Sequence, residues 1–189
     1  MRPQTLDTLP RVALVATGGT IAGTLIEGSE TWAYESAQRS GESLVMGIPG
    51  LLRRAQWHFE QPYSIGSQNL ELAQMLQLRA ALVRLLQSPD VDAVLVTHGT
   101  DTMEDMLYFL YLTLPAALLV KPLVFTGAML PSDAEDADGP ANLSGALDFA
   151  VQCLPGSPLG CAVPFGLYMQ GLFTPAQHVE AKHCKLGCT

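Results

Sequence analysis

Val91-Asp92-Ala93-Val94-Leu95-Val96-Thr97-His98-Gly99-Thr100-Asp101-Thr102-Met103-Glu104 decides the reading of this chain. Its first half is a short, continuous apolar run of the kind that fills a strand buried on both faces. Its second half opens a helical pattern that Pro115 ends. Between the two sits a turn rich in hydroxyls. Buried strands that feed helices through polar turns build parallel sheets, and such sheets gather the carboxyl ends of their strands along one edge, where ligands bind. The start of the chain has the same form: residues 11–16 are a second buried run, followed by Ala16-Thr17-Gly18-Gly19-Thr20-Ile21-Ala22-Gly23. Two threonine-bearing turns on one sheet edge read as halves of one active site.

Outward from these turns the pattern keeps alternating. Residues 55–61 read as a half-buried strand and residues 122–126 as another buried one. Helices are predicted over 70–87, 102–114 and 140–153. The first has Ala73, Leu76, Ala80 and Val83 on its apolar stripe, Asn69 as N-cap and Glu71 in its first turn, and the third has Pro140 at its start. The class is therefore α/β: a doubly wound, mainly parallel sheet with helices on both faces. Two stretches break the alternation. Residues 23–41 are polar yet carry Trp32 and Tyr34, the mix expected of a flap over a site. Residues 127–139 hold the acidic run Pro131-Ser132-Asp133-Ala134-Glu135-Asp136-Ala137-Asp138, which reads as a solvated loop.

Bulk properties narrow the chemistry. With 189 residues, 48% hydrophobic and 15% charged, the chain can bury one sizeable core, so a single domain over 1–189 is expected. A formal net charge of -8 gives no electrostatic reason to approach nucleic acid or an anionic membrane. The start of the chain lacks a basic flank followed by a long apolar stretch, and the expected compartment is the cytoplasm. Cys153, Cys161, Cys184 and Cys188, with His178 and His183 nearby, lack the tight spacing of structural zinc and read as reduced thiols, so no metal is expected. Asn142-Leu143-Ser144 has the form of a glycosylation sequon but reads as an ordinary helix start.

A threonine hydroxyl becomes a nucleophile only when a neighbour takes its proton and donors face the developing oxyanion, and the glycines of both turns let backbone N–H groups approach closely. The first turn matches neither the dinucleotide-binding glycine pattern nor the lysine-bearing P-loop, which argues against a nucleotide. Each residue also has an ordinary reading. Asp101-Thr102-Met103-Glu104 has the form of a capping box; Thr20, His98 and Thr100 are common turn residues; Tyr34 is a common packed aromatic. Their combination favours chemistry.

The chain resembles the bacterial-type L-asparaginase and glutaminase-asparaginase family. The resemblance rests on both threonine turns, on Ser67-Gln68 after Ile65-Gly66, on Phe125-Thr126-Gly127-Ala128-Met129, and on Ala137-Asp138-Gly139-Pro140 with Asn142-Leu143. It covers about residues 12–150. It implies Thr20 as the attacking hydroxyl with Tyr34 beside it, and Thr100 and Asp101 joined by a lysine in a second, polarising cluster. That lysine is assigned to Lys182, with Lys185 as second choice, because His178-Val179-Glu180-Ala181-Lys182 runs one residue out of register with the family pattern. Ser67, Gln68, Asp101 and the Gly99 backbone would hold the substrate's α-carboxylate and α-amine, and Ala128 would line the site near the leaving amide.

The implied reaction hydrolyses L-asparagine to L-aspartate and ammonia through a threonine ester, with no metal or organic cofactor. L-Glutamine differs by one methylene and is the alternative substrate. Asn69 replaces an Asp usual in the family, and Leu130 an Arg. Family members continue into a second, smaller α/β domain that builds a dimer and lends polar residues to the neighbouring site. This chain stops at Thr189, so homo-oligomerisation and uncovered apolar surface around residues 166–172 are expected. Two other readings are a catalytically silent remnant that binds acidic amino acids and the asparaginase-like domain of a tRNA-dependent amidotransferase. A missing N-terminal extension and the lack of a basic surface speak against the second.

Overall fold

Alternation along the first strand, β1 (Arg11–Ala16), sets the two sides of the fold, because successive side chains of a strand point to opposite faces. The structure is a computed structural model that describes residues 9–27, 33–154, 157 and 165–178. β2 (Thr24–Leu25) and β3 (Tyr34–Glu35) pair antiparallel as a small separate ribbon. The main sheet adds β4 (Gln56–Glu60), β5 (Ala93–Thr97), β6 (Leu123–Thr126), β7 (Phe165–Met169) and β8 (Leu172–Pro175), in the order β4-β1-β5-β6-β7-β8. Every neighbouring pair is parallel except the β7–β8 hairpin.

Among the described residues four α-helices cover the sheet: α1 (Gly41–Met46), α2 (Leu72–Gln87), α3 (Met103–Thr113) and α4 (Gly139–Gln152). Ala13, Val15, Val94 and Val96 share an apolar cluster with Leu78 and Leu82 of α2 and Met106 and Leu110 of α3. Val12, Leu14, Ala93 and Leu95 face the other way, toward Leu44 and Val45 of α1 and Leu143 and Leu147 of α4. Helices thus lie on both faces, as the alternation of buried runs predicts. From β1 the path steps to β4 on one side and then returns to β5 on the other. The carboxyl ends of β1 and β5 therefore flank the point where the winding reverses, which is where an open α/β sheet opens a crevice.

Several local expectations change. In α2 the buried stripe is Leu78, Ala81, Leu82, Leu85 and Leu86, while Ala73, Leu76 and Ala80 face solvent and Val83 is half-buried. The leucine-rich row wins because it removes more apolar area from water than the row bearing two alanines. The N-cap of α2 is Glu71, and Asn69 belongs instead to a 3-10 turn, Ser67–Asn69. Residues 166–172 are bare only at their end: Leu167 and Met169 are buried in the apolar cluster they share with Met106 and Leu110 of α3, whereas Gln170, Gly171 and Leu172 are exposed. Among the described residues no helix is long and apolar enough to cross a membrane.

Candidate active site

Gly18 and Gly19 carry φ angles of +98° and +77°, a region that side chains disfavour, and the turn after β1 can form only because both residues lack a Cβ. Space imposes the same demand. A Cβ on Gly19 would lie 2.4 Å from the Gly99 Cα, and one on Gly99 would lie 2.3 Å from the Ser67 Oγ. The Thr20 and Thr100 turns are thus pressed backbone to backbone, with the Ser67 side chain packed against Gly99. Hydrogen bonds lock the same junction: the Gly19 N–H donates to the Ile65 carbonyl (2.9 Å) and the Ile65 N–H to the Thr17 carbonyl (3.2 Å).

Thr20 opens a 3-10 turn, Thr20–Ala22, and is buried. Its Oγ1 lies 2.9 Å from the Tyr34 hydroxyl, which β3 of the flap ribbon presents from the other side. Tyr34 stays partly open to solvent, at 38% of its surface. Thr100 and Asp101 lie in the 3-10 turn Thr100–Thr102 that precedes α3, packed against the Ser67–Asn69 turn. The capping-box reading of Asp101 does not hold. Thr102 is the N-cap of α3, no side chain bonds its first turn, and Asp101 is exposed. The extra 3-10 turn moves the helix start one residue along and leaves the carboxylate facing outward.

Ser67 is buried at this junction and Gln68 is exposed beside Gly66. Ala128 is fully buried in the apolar cluster that holds Ile21 and Leu143. Lys182 and Lys185 lie outside the described residues. Lys121 does not replace them, since its Nζ donates to the Ser88 carbonyl at the opposite end of the sheet. Among the described residues no group of three His, Cys, Asp or Glu side chains could hold a metal. Cys153 is buried, and the other three cysteines and His183 lie outside the described residues.

A family profile described as "Asparaginase, N-terminal" matches residues 11–163. The chain belongs to the asparaginase family. It is 42% identical over 142 residues to L-asparaginase 2 of Bacillus subtilis (strain 168), covering 75% of this chain and 37% of that protein. It is 37% identical over 147 residues to the glutaminase-asparaginase of Pseudomonas fluorescens biotype A, covering 78% of this chain and 40% of that protein. The chain thus spans well under half the length of these curated relatives. The crystal structure of "Probable Cytoplasmic L-asparaginase" from Campylobacter jejuni superposes with a TM-score of 0.77 at 33% identity, covering 88% of this chain and 48% of that one. These names favour neither the amino-acid-binding remnant nor the amidotransferase domain.

In this asparaginase-family chain one fully buried polar link was not legible in the sequence. Thr17 Oγ1 donates to the Thr97 carbonyl (2.9 Å) and lies 2.7 Å from His98 Nδ1. The hydroxyl has a single proton, so His98 Nδ1–H is the donor of the second bond. His98 Nε2, which carries no proton in that tautomer, lies 3.4 Å from the Thr102 hydroxyl, and the one proton of that hydroxyl is shared between Nε2 and the Ser67 carbonyl at 3.2 Å. One imidazole therefore ties together all three site-building turns. Complete burial pulls its pKa down to about 4, so it stands neutral at pH 7. The Tyr63 phenol, with Thr17 as its polar neighbour, is pushed above its ordinary range by burial.

The loop between β6 and α4 is likewise more than a solvated run. The Asp138 carboxylate accepts the N–H groups of Met129 and Leu130, each at 3.0 Å, and the Asn142 side-chain amide at 3.0 Å. Asn142 also donates to the Gly127 carbonyl and accepts the Gln170 N–H. Only 2% of Asn142 is exposed, so the sequon it begins is closed to a glycan, in keeping with its reading as a helix residue. Leu130 is half-buried, and its N–H is one of the two that Asp138 holds.

Proposed function

We propose that this chain carries the nucleophilic site of an amidohydrolase that converts L-asparagine to L-aspartate and ammonia, with L-glutamine as the competing substrate. The observation that carries the reading is the 2.9 Å contact between Thr20 Oγ1 and the Tyr34 hydroxyl, on a turn pressed against the second threonine turn at the switch point of the sheet. The Thr20 oxygen attacks the amide carbon, the C–N bond breaks, and the leaving nitrogen takes up the proton that Thr20 gives away. Water then cleaves the threonine ester and returns a proton to Thr20, releasing aspartate. Thr100 and Asp101, with Lys182, form the polarising group across the crevice. Ser67, Gln68 and the Gly99 backbone hold the α-substituents of the substrate, and Ala128 closes the amide end.

No metal or organic cofactor takes part in this scheme. A cytoplasmic setting and self-association of the chain belong to the same proposal, as does a second domain that completes the substrate shell. The test is ammonia release from asparagine and glutamine by the chain and by its Thr20→Ala variant. Loss of all hydrolysis with an unchanged circular-dichroism spectrum and little change in melting is expected, because Thr20→Ala removes only a hydroxyl and a methyl from a turn whose shape Gly18 and Gly19 set. Residual turnover near that of the parent chain would remove Thr20 from the role of nucleophile.

A further inference from the structure

The acidic loop after β6 grips the flap at two adjacent residues. Ser132 donates both its N–H (2.9 Å) and its hydroxyl (2.7 Å) to the Gly23 carbonyl. Asp133 accepts the Leu25 N–H with both carboxylate oxygens, at 2.9 and 3.1 Å. The gripped residues are the ones that connect Thr20 to Tyr34. The Gly23 N–H closes the Thr20 turn on the Thr20 carbonyl at 2.8 Å, and Leu25 is the cross-strand partner of Tyr34. Tyr34 also lies directly over Gly23, since a Cβ there would stand 2.9 Å from the Tyr34 Cδ2.

Two pairs of residues do not make a stable antiparallel ribbon in water, so β2 and β3 require an outside support. The loop is built to give it. Its far end is fixed to the start of α4 by Asp138 and Asn142, and Pro131, next to Ser132, is buried. A bond from a backbone N–H to a carboxylate is among the stronger kinds available at a surface.

We infer that Ser132 and Asp133 are positioning residues that pin β2 from outside and thereby hold the Tyr34 hydroxyl against Thr20. The inference rests on the reading of Thr20 as nucleophile and Tyr34 as its partner. It assigns the acidic run to flap control, a task distinct from binding substrate.

Hydrogen–deuterium exchange on the full chain separates the two ideas. Asp133→Ala should speed exchange at least tenfold in peptides covering residues 20–38 and leave peptides from β1 and β5 unchanged. Asp133→Asn, which keeps an acceptor oxygen, should restore most of the protection. Flap exchange equal to that of the parent chain, or a rise spread over every peptide, would overturn the clamp. In asparagine hydrolysis, Asp133→Ala should lower kcat about tenfold with KM within twofold, and should cost nothing further in a Tyr34→Phe background. Additive losses would show that Asp133 does not act through Tyr34. A parent chain that releases no ammonia defeats the proposed function alone, and the exchange arm still decides the clamp.

Discussion

Protonating His98 would place a charge in a position with almost no exposed surface, between hydroxyls that can offer it no counter-charge. Its pKa is about 4 in the fold against 6.5 for an unperturbed imidazole, so the unfolded chain binds the extra proton first as pH drops. Stability from this group is therefore complete above about pH 6.5 and is lost as pH falls toward 4. The loss is on the order of 3 kcal/mol, because each tenfold drop in proton affinity is worth about 1.4 kcal/mol. Urea unfolding at pH 7 and pH 4.5 should show it, and His98→Asn should flatten that slope; equal stability at the two pH values in the parent chain would refute the buried neutral role. Nothing in the sequence marks His98 for this task. A histidine in a polar turn reads as a turn residue until a second strand end brings Thr17 beneath it.

At the scale of elements, the start of α3 separates catalysis from capping. Because Thr102 and not Asp101 occupies the N-cap, Asp101→Ala should change stability by less than ~0.5 kcal/mol, as is usual for exposed positions. Hydrolysis should fall on the order of a hundredfold, as for an oriented proton-transfer partner. Thermal melting beside an ammonia assay checks both. A stability loss of about 1 kcal/mol with an undiminished rate would return Asp101 to a helix cap. β1, β4, β5 and β6 were legible because buried runs are local signals, and they fall within two residues of their predicted bounds, whereas α1, β7 and β8 carry no comparable run or stop and have no counterpart in the sequence reading. The buried face of α2 was misread because the helix carries two apolar rows, and only the sheet decides between them. The grip of Ser132 and Asp133 left no trace in the sequence, since backbone N–H and carbonyl groups carry no residue identity and the partners lie 108 and 109 residues apart.

For the whole molecule, the exposed apolar side chains that gather on neighbouring elements among the described residues lie on α2 and α3. Leu72, Leu76, Tyr108, Tyr111 and Leu112 are each between 46% and 63% exposed, and the last three follow one helical stripe. Patches of this kind mark association surfaces, so the chain should exceed monomer mass in light scattering at micromolar concentration. Tyr108→Glu with Leu112→Lys should shift it toward monomer, and a parent chain that is monomeric throughout would show that this face needs no partner. The sequence places the expected association surface around residues 166–172, where Leu167 and Met169 are buried and Leu172 alone adds an exposed apolar side chain. A last consequence concerns descent. Where Gly19 meets Gly99 there is no side chain to vary: an atom added to Gly19 collides with the Gly99 backbone, and one added to Gly99 collides with Ser67. A lineage built on such a seam can drift only at its rim, in the flap, in the loop that grips it, or in a second body placed over the crevice. New substrate preferences would then be acquired by redecorating the margin, and the seam itself would be inherited unchanged.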